Sequence, residues 1–276
     1  MYESLQQWLG LMNQYGWILF VPLLERLWPM QSQRQLRPGL ISDVIHVYQP
    51  FTPFLISGVA VYAAALPVDP GGVREFLGTS PWYFSLVAVI LFSEVTFYCV
   101  HRLTHAVPLL WEFHRVHHSS VNLDSFSTHR FHILDKALFG TPYLSCVLYF
   151  APDPQVVFFF AVFQSLWDRY GHANLNAPRF TGYFITNPHF HRWHHEPTKN
   201  RTNFSRDFVF MDYLFGTAYY PEHDAKVFGE SGYSDNFFMQ QWLPFKYLYQ
   251  QGRQDGMLAL LRPETASSRA REPLVS

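Results

Sequence analysis

Histidine placement constrains this chain more than any other feature. Twelve of its fourteen histidines fall between His101 and His195. Eight of them form three groups: His101-Arg-Leu-Thr-His105, His114-Arg-Val-His117-His118 and His191-Arg-Trp-His194-His195. Residues three and four positions apart share one face of a helix. If helical, each group therefore points its imidazoles the same way. Neutral imidazole is the commonest side-chain metal ligand and suits Fe, Zn, Cu and Ni. A structural zinc takes four ligands and a catalytic one usually three, so eight are too many for one ion. Two metal ions sharing the set is the economical expectation.

The composition is not that of an ordinary soluble protein. Aromatic residues make up 18% of the 276 and charged residues 15%, against a usual charged fraction of roughly a quarter. A net charge of −1 gives no basic footprint for nucleic acid. Cys99 and Cys146 sit in apolar runs away from any CxxC pattern, and buried, inert thiols are expected. Glu3 and the lack of a basic stretch before the first apolar run argue against a cleavable signal.

Three runs have the length and character of membrane spans. Trp8–Trp28 carries Trp at both ends but includes Asn13, Gln14 and Glu25. Val44–Leu66 is bent by Pro50 and Pro53. Trp82–Val100 is the cleanest, with Glu94 its one charge. A fourth run, Ala137–Trp167, is broken at Pro152-Asp153-Pro154 and reads as a helical hairpin. The first loop holds Arg26, Arg34 and Arg37, whereas the second sets Arg74 against Asp69 and Glu75. Positive-inside bias puts the first loop in the cytosol, so the third span delivers His101 to the cytosolic face. His172 and the third group can join the first two only if the hairpin returns to that face. The expected fold is an all-α membrane protein. It has about four transmembrane helices, or three plus the hairpin, and a cytosolic helical cap carrying the histidines. The expected division is 1–84 for N-terminal transmembrane helices, 85–220 for the catalytic domain and 221–276 for a cytosolic tail with a disordered end.

Each candidate has a role by position. The eight grouped histidines are the ligands, because ionisable groups at membrane depth tend to be functional. His172 follows the hairpin at similar depth and is expected either to join them or to stand just behind them. His129, His132 and His189 are expected beside the ligands or facing substrate. His46 and His223 are expected to be ordinary hydrogen-bonded residues. Glu94 stands two helical turns before His101, placed to accept an imidazole N–H and set its tautomer, or else to pair with an arginine elsewhere. Asn187 and Pro188 predict a helix start before the third group, and Pro197 an end after it. On residues alone, an enzyme competes with a histidine-rich metal transporter or sensor. A zinc hydrolase using Glu196 as its base is the third reading.

With these residues in place, the chain resembles the fatty acid hydroxylase/sterol desaturase superfamily of integral-membrane di-iron enzymes. The pattern HxxxH, HxxHH, HxxHH occurs as His101–His105, His114–His118 and His191–His195. Tyr98, the run Thr128-His-Arg-Phe-His132, Gly171-His-Ala-Asn174, Asn203-Phe204 and Asp212-Tyr-Leu-Phe-Gly-Thr217 extend the likeness over roughly residues 85–220. Glu94 stands where relatives usually carry Asp, Ile133 and Asp135 replace Pro and Glu, and Ser205 replaces Gly; the ligand pattern is intact. The resemblance implies two non-haem iron ions with O2 as co-substrate. It also implies hydroxylation or desaturation of a lipid: sterol, hopanoid, carotenoid, fatty acyl or sphingolipid. It makes His172 a ninth ligand and lets Asn176 join through water. With no room seen for a fused cytochrome b5 or Rieske domain, it implies a separate ferredoxin, cytochrome b5 or reductase as electron donor. The expected location is a bacterial inner membrane or the endoplasmic reticulum, multi-pass, with the histidines facing the cytosol.

Overall fold

The computed structural model describes residues 17–34, 36–49, 72–140 and 153–263. Its regular elements are all helical; among the described residues there are no strands, only isolated bridges Pro29–Leu175 and Ile185–Phe208. In chain order the helices are α1 (Trp17–Leu27), α2 (Leu40–Val47), α3 (Val73–Thr79), α4 (Trp82–Ala106), α5 (Pro108–His118), α6 (133–140), α7 (Pro154–His172), α8 (Pro188–His194), α9 (Phe210–Leu214) and α10 (Phe237–Asp255). Short 3-10 turns lie at Ser127–His129, Arg179–Tyr183 and Met257–Leu261.

Helix α4 is the axis of the fold. Its 25 residues span about 37 Å, more than the roughly 30 Å of a hydrocarbon core. Among the described residues it is the one helix long and apolar enough to cross a membrane. Its burial runs opposite to that of a helix on a water-soluble protein. The inward face carries Ser85, Ser93, Glu94, Tyr98, His101, Thr104 and His105 with Val89. The outward face shows Tyr83, Phe84, Val87, Leu91, Phe92 and Val95. Cys99 lies on that outer face, exposed rather than buried as expected. Near the start of α4, Val89 packs with Val156 and Phe160 of α7.

At the other end a single residue, Val107, turns the chain, and Pro108 starts α5 at a position that needs no N–H. Helix α7 begins as its sequence suggests: Asp153 caps it by accepting from Gln155 N at 2.8 Å, with Pro154 next. The hairpin's other half falls largely at 141–152, outside the described residues. So do residues 8–16 of the first candidate span, whose remainder is mostly α1, and residues 50–66 of the second. What is described of Val44–Leu66 is the end of α2, which stops at Val47, so no straight helix runs on from Val44.

The predicted third-group helix is α8. Asn187 accepts from Phe190 N at 2.9 Å, Pro188 follows, and His195 ends the helix. The segment after it is a hydrogen-bonded clasp. Asn203 takes a left-handed φ of 58°, tolerable for Asn because its short side chain bonds locally. Its Nδ2 donates to the carbonyls of Phe190 and Tyr219, both at 2.8 Å. The Asp212 carboxylate accepts from Phe204 N, Ser205 N and Thr217 Oγ1. These bonds explain the Asn203…Asp212…Thr217 spacing: they fix the backbone between 202 and 205 against α4 and α8.

Helix α10 lies inside the stretch read as a tail. Pro244 within it and an outward row of Phe238, Trp242, Phe245 and Tyr249 hid it from a pattern that expects apolar residues inside. The first loop is also tied to the histidine side. Glu25 accepts from Ser125 N and Asn174 N, each at 2.8 Å. Arg37, counted above as a free cytosolic charge, is buried between Asp43 and Asp124. Arg26 and Arg34 are exposed.

Candidate metal centre

All nine predicted ligands meet in one buried volume, in two sets. His101, His105, His114, His118 and His194 form the first, and His117, His172, His191 and His195 the second; within each set the ligand atoms lie within 4.8 Å of one another. Helical spacing explains the sorting. In α5 the i, i+4 pair His114 and His118 serves the first set and His117 the second. Around α8 the roles reverse: His191 and His195 serve the second set and His194 the first. The same HxxHH pattern thus bridges the two centres from opposite sides. The sets touch, with ring centroids of His118 and His195 4.4 Å apart.

Hydrogen bonds on the outer ring nitrogens show what the inner ones are prepared to do. The Phe204 carbonyl accepts from His101 Nδ1 at 2.7 Å, and the Thr202 carbonyl from His194 Nδ1 at 2.8 Å. The Arg130 carbonyl accepts from His117 Nδ1 at 3.3 Å, and the Asp168 carbonyl from His172 Nδ1 at 2.9 Å. A carbonyl can only accept, so these four rings carry their proton on Nδ1 and present a bare lone pair at Nε2. Yet Nε2 of His117 and Nε2 of His172 face each other at 3.0 Å. Two lone pairs at that distance repel unless a cation lies between them. His191 and His195 complete the same cluster, with Nε2–Nε2 distances of 3.0–3.1 Å to His172. Nitrogens about 2.1 Å from a shared ion and at right angles are about 3.0 Å apart. In the first set, the inner nitrogens of His105, His114, His118 and His194 are buried without any partner. Donor chemistry and geometry both fit a pair of metal ions.

The electrostatics agree. Burial, and then repulsion among the rings, pushes His117, His118, His191 and His195 well below the usual imidazole range. Burial brings His172 to about 4 and His194 to about 3. The rings are therefore neutral at physiological pH, the form that binds metal.

Several supporting roles differ from expectation. Glu94 touches no imidazole. It is two turns, about 10 Å, from His101 along the axis, and its carboxylate accepts from Arg206 N at 3.2 Å and Asp207 N at 2.9 Å. It anchors the segment whose Phe204 carbonyl then orients His101. His132 is bound to the Gln241 carbonyl at 3.0 Å and packs on Phe113 and Phe245, away from both sets. His189 is held by Asp224 at 2.8 Å and by the Ala177 carbonyl at 3.0 Å, beside Arg179. Asn176 is exposed, its N–H donating to the Trp28 carbonyl. His129 alone of that group lines the cavity described below. His46 is an ordinary buried residue, donating to Gln240 Oε1 at 2.7 Å. Glu196 accepts from Thr198, its neighbour in the following turn, and is not poised as a hydrolytic base.

Asp135 was missed. Its Oδ2 accepts from His114 Nδ1 at 3.0 Å, making the one carboxylate–imidazole pair in the centre. Its distance from any histidine group gave no local signal; only its place after the Arg-Phe-His run hinted at it. Replacing such a partner typically costs about 10–100-fold in metal affinity or activity. Asp135→Asn is expected to fall in that range in metal titration while the protein stays folded; an unchanged affinity would mean that the contact is incidental.

A cavity of about 370 Å³ adjoins both sets. His101 and His114 line it from the first, His117, His172 and His191 from the second. Its apolar walls include Phe97, Phe131, Phe139, Ala161 and Trp167. Phe131 stacks on His117 with centroids 4.3 Å apart, and Phe139 lies 5.2 Å from the His114 ring.

Comparison with known proteins points the same way. The family model described as fatty acid hydroxylase matches residues 86–217. The ornithine lipid hydroxylase of Rhizobium tropici is 28% identical over 229 residues, covering 76% of this chain and 67% of that one. An alkylglycerol monooxygenase of Caenorhabditis elegans is 24% identical over 194 residues, 69% of this chain and 38% of the other. A very-long-chain aldehyde decarbonylase of Oryza sativa subsp. indica is 28% identical over 225 residues, 76% and 35% respectively. The chain thus spans two thirds of the first relative and less than half of the other two. No solved structure matches.

Proposed function

The chain belongs to the fatty acid hydroxylase superfamily, and from that membership we propose that it is a membrane-bound oxidoreductase. In this reading it uses two iron ions and O2 to hydroxylate or desaturate an unactivated C–H bond of a lipid. The observation that carries this is the pair of buried imidazole sets, five and four rings, in which carbonyl acceptors leave bare nitrogens facing one another. His101, His105, His114, His118 and His194 would hold one iron, and His117, His172, His191 and His195 the other. Bound there, the irons supply the activation of O2 that an unactivated C–H bond requires.

The protein's own residues supply orientation and exclusion. The carbonyls of Phe204, Thr202, Arg130 and Asp168 hold four rings in one tautomer, and Asp135 orients a fifth. The apolar cavity brings a hydrocarbon chain against both sets and keeps bulk water away. The activities for which the relatives are named, hydroxylation of an ornithine lipid and oxygenation of an alkylglycerol, support a lipid as the substrate class.

Helix α4 is read as one of about four membrane crossings, and its end at His101–His105 as the cytosolic exit. Exposed aromatics support this level. Phe180, Tyr183 and Phe184 are exposed, as are Phe210, Tyr213, Leu214 and Phe215, on two segments joined by the bond from Val209 N to the Phe184 carbonyl. Phe215 stacks on Tyr98 near that exit. Such exposed residues suit the headgroup layer of a bilayer. A separate redox protein would deliver electrons from the cytosol.

The test is turnover. Protein loaded anaerobically with ferrous iron, given host lipids, a chemical reductant and isotopically labelled O2, should yield a lipid carrying one labelled oxygen, or one lacking two hydrogens. Lipid cleavage by a zinc-loaded preparation, without O2 uptake, would replace this reading with a hydrolase.

A further inference from the structure

The cavity beside the histidines has a basic side that the proposed chemistry leaves unexplained. Lys136 of α6, His129 of the Ser127–His129 turn and Arg169 of α7 all line it. Lys136 Nζ donates to the His46 carbonyl at 3.2 Å. Arg169 Nη1 donates to the carbonyl and hydroxyl of Ser165, one turn earlier in its own helix. The hydrogen bonds of both cations thus go to neutral groups, and neither forms an ion pair among the described residues, although the Asp168 charge acts on Arg169. Arg206, a third cation on the lining, is paired with Asp207 at 3.2 Å. Asp168, the one carboxylate on the lining, sits beside Arg169 in sequence and is also near Arg206. Among the described residues Lys136 is left without an acid: burial alone brings it down, to about 8. On the same lining, the Thr128 hydroxyl and His129 Nε2 are buried with no partner, and Thr128 is 3% exposed. A half-buried cation without an acid and orphaned polar atoms on the same cavity lining call for a counter-group.

We propose that this basic side receives the anionic head of the lipid substrate, a carboxylate or phosphate, so that the enzyme reads a charged lipid and not a bare hydrocarbon. The inference rests on the lipid-oxidising reading of the histidine site. Lys136 Nζ and Arg169 would donate charge-assisted bonds to the oxyanion, with Thr128 and His129 within the same wall. Phe139 follows Lys136 by three residues, on the same face of α6, and lies 5.5 Å from His101 and 5.2 Å from His114 between ring centroids. A head held at Lys136 therefore lays the next few carbons along Phe139, against the metal ligands. The oxidised position falls near the head of the chain, not at its methyl end.

The experiment is competitive binding to the iron-loaded protein in detergent. The probes are a fatty acid, an alkyl phosphate and a fatty alcohol of equal chain length, with inorganic phosphate as a fourth. Wild type should bind the acid or the alkyl phosphate at least about tenfold more tightly than the alcohol, as one charge-assisted contact implies. Which of the two binds more tightly identifies the head. Lys136→Met should bring the charged lipids to the affinity of the alcohol, and Lys136→Arg should keep the preference. Equal affinity in wild type, or an unchanged preference in Lys136→Met with normal iron content, overturns the proposal. So does inorganic phosphate that competes as well as the alkyl phosphate, because the site would then bind a free anion. Iron measured on the same samples separates this from failure of the metal reading: iron-free protein sinks that reading and leaves the binding preference to be judged by itself.

Discussion

His117→Ala is expected to abolish turnover and to release the iron of the second set, leaving about half the wild-type metal. Only four rings build that set, and His117 sits 3.0 Å from His172 through their inner nitrogens. Removing it opens the centre on the side where Phe131 stacks, and alanine offers no replacement ligand. The first set does not use His117 and should keep its ion. The companion variant His105→Ala should show the converse, with the second ion retained and turnover lost. Metal content, lipid turnover and membrane extraction measured together distinguish this from misfolding. A His117→Ala protein that keeps both irons and full activity would refute the assignment of the second set.

Asp43→Ala is expected to be the most damaging change outside the metal centre. Asp43 is fully buried and pairs with Arg37 at 2.7 Å and with Arg130 at 2.5 Å. Arg130, itself 1% exposed, keeps only long contacts once Asp43 is gone, to Asp235 at 3.3 Å and to the Ser119 hydroxyl at 3.5 Å. Breaking a buried pair by removing one partner costs about 3–5 kcal/mol, because a desolvated charge is left behind. The loss reaches the site through the backbone: the Arg130 carbonyl is the group that orients His117. Denaturation in detergent should show a loss of that size, with weaker metal retention following it. A drop below about 1 kcal/mol would mean that water or another acid takes over from Asp43.

The site was more legible in the sequence than the fold that supports it. The histidine groups announce themselves because a metal set drawn from helices repeats at three and four residues. The structure brings together all nine rings expected, His172 included. It also shows a division the spacing alone did not give: HxxHH is split between two centres, a consequence of two helices meeting face to face. Supporting residues were poorly legible, because their role depends on distant contacts. Glu94 was placed by helical phase alone, and phase ignores axial distance. His132 and His189 lie near histidine groups in sequence and yet bind other partners. The groups that do orient the ligands are mostly backbone carbonyls, which no side-chain pattern reveals. Helix α10 escaped for a related reason, since its large apolar residues face outward.

The most direct measurement is metal stoichiometry combined with X-ray absorption on protein purified from cells grown with iron. Two irons per chain, each surrounded by nitrogen ligands from histidine, are the result expected from two imidazole sets sharing α5 and the α8 segment. A single zinc per chain, or a first coordination sphere dominated by carboxylate oxygens or sulfur, would contradict it.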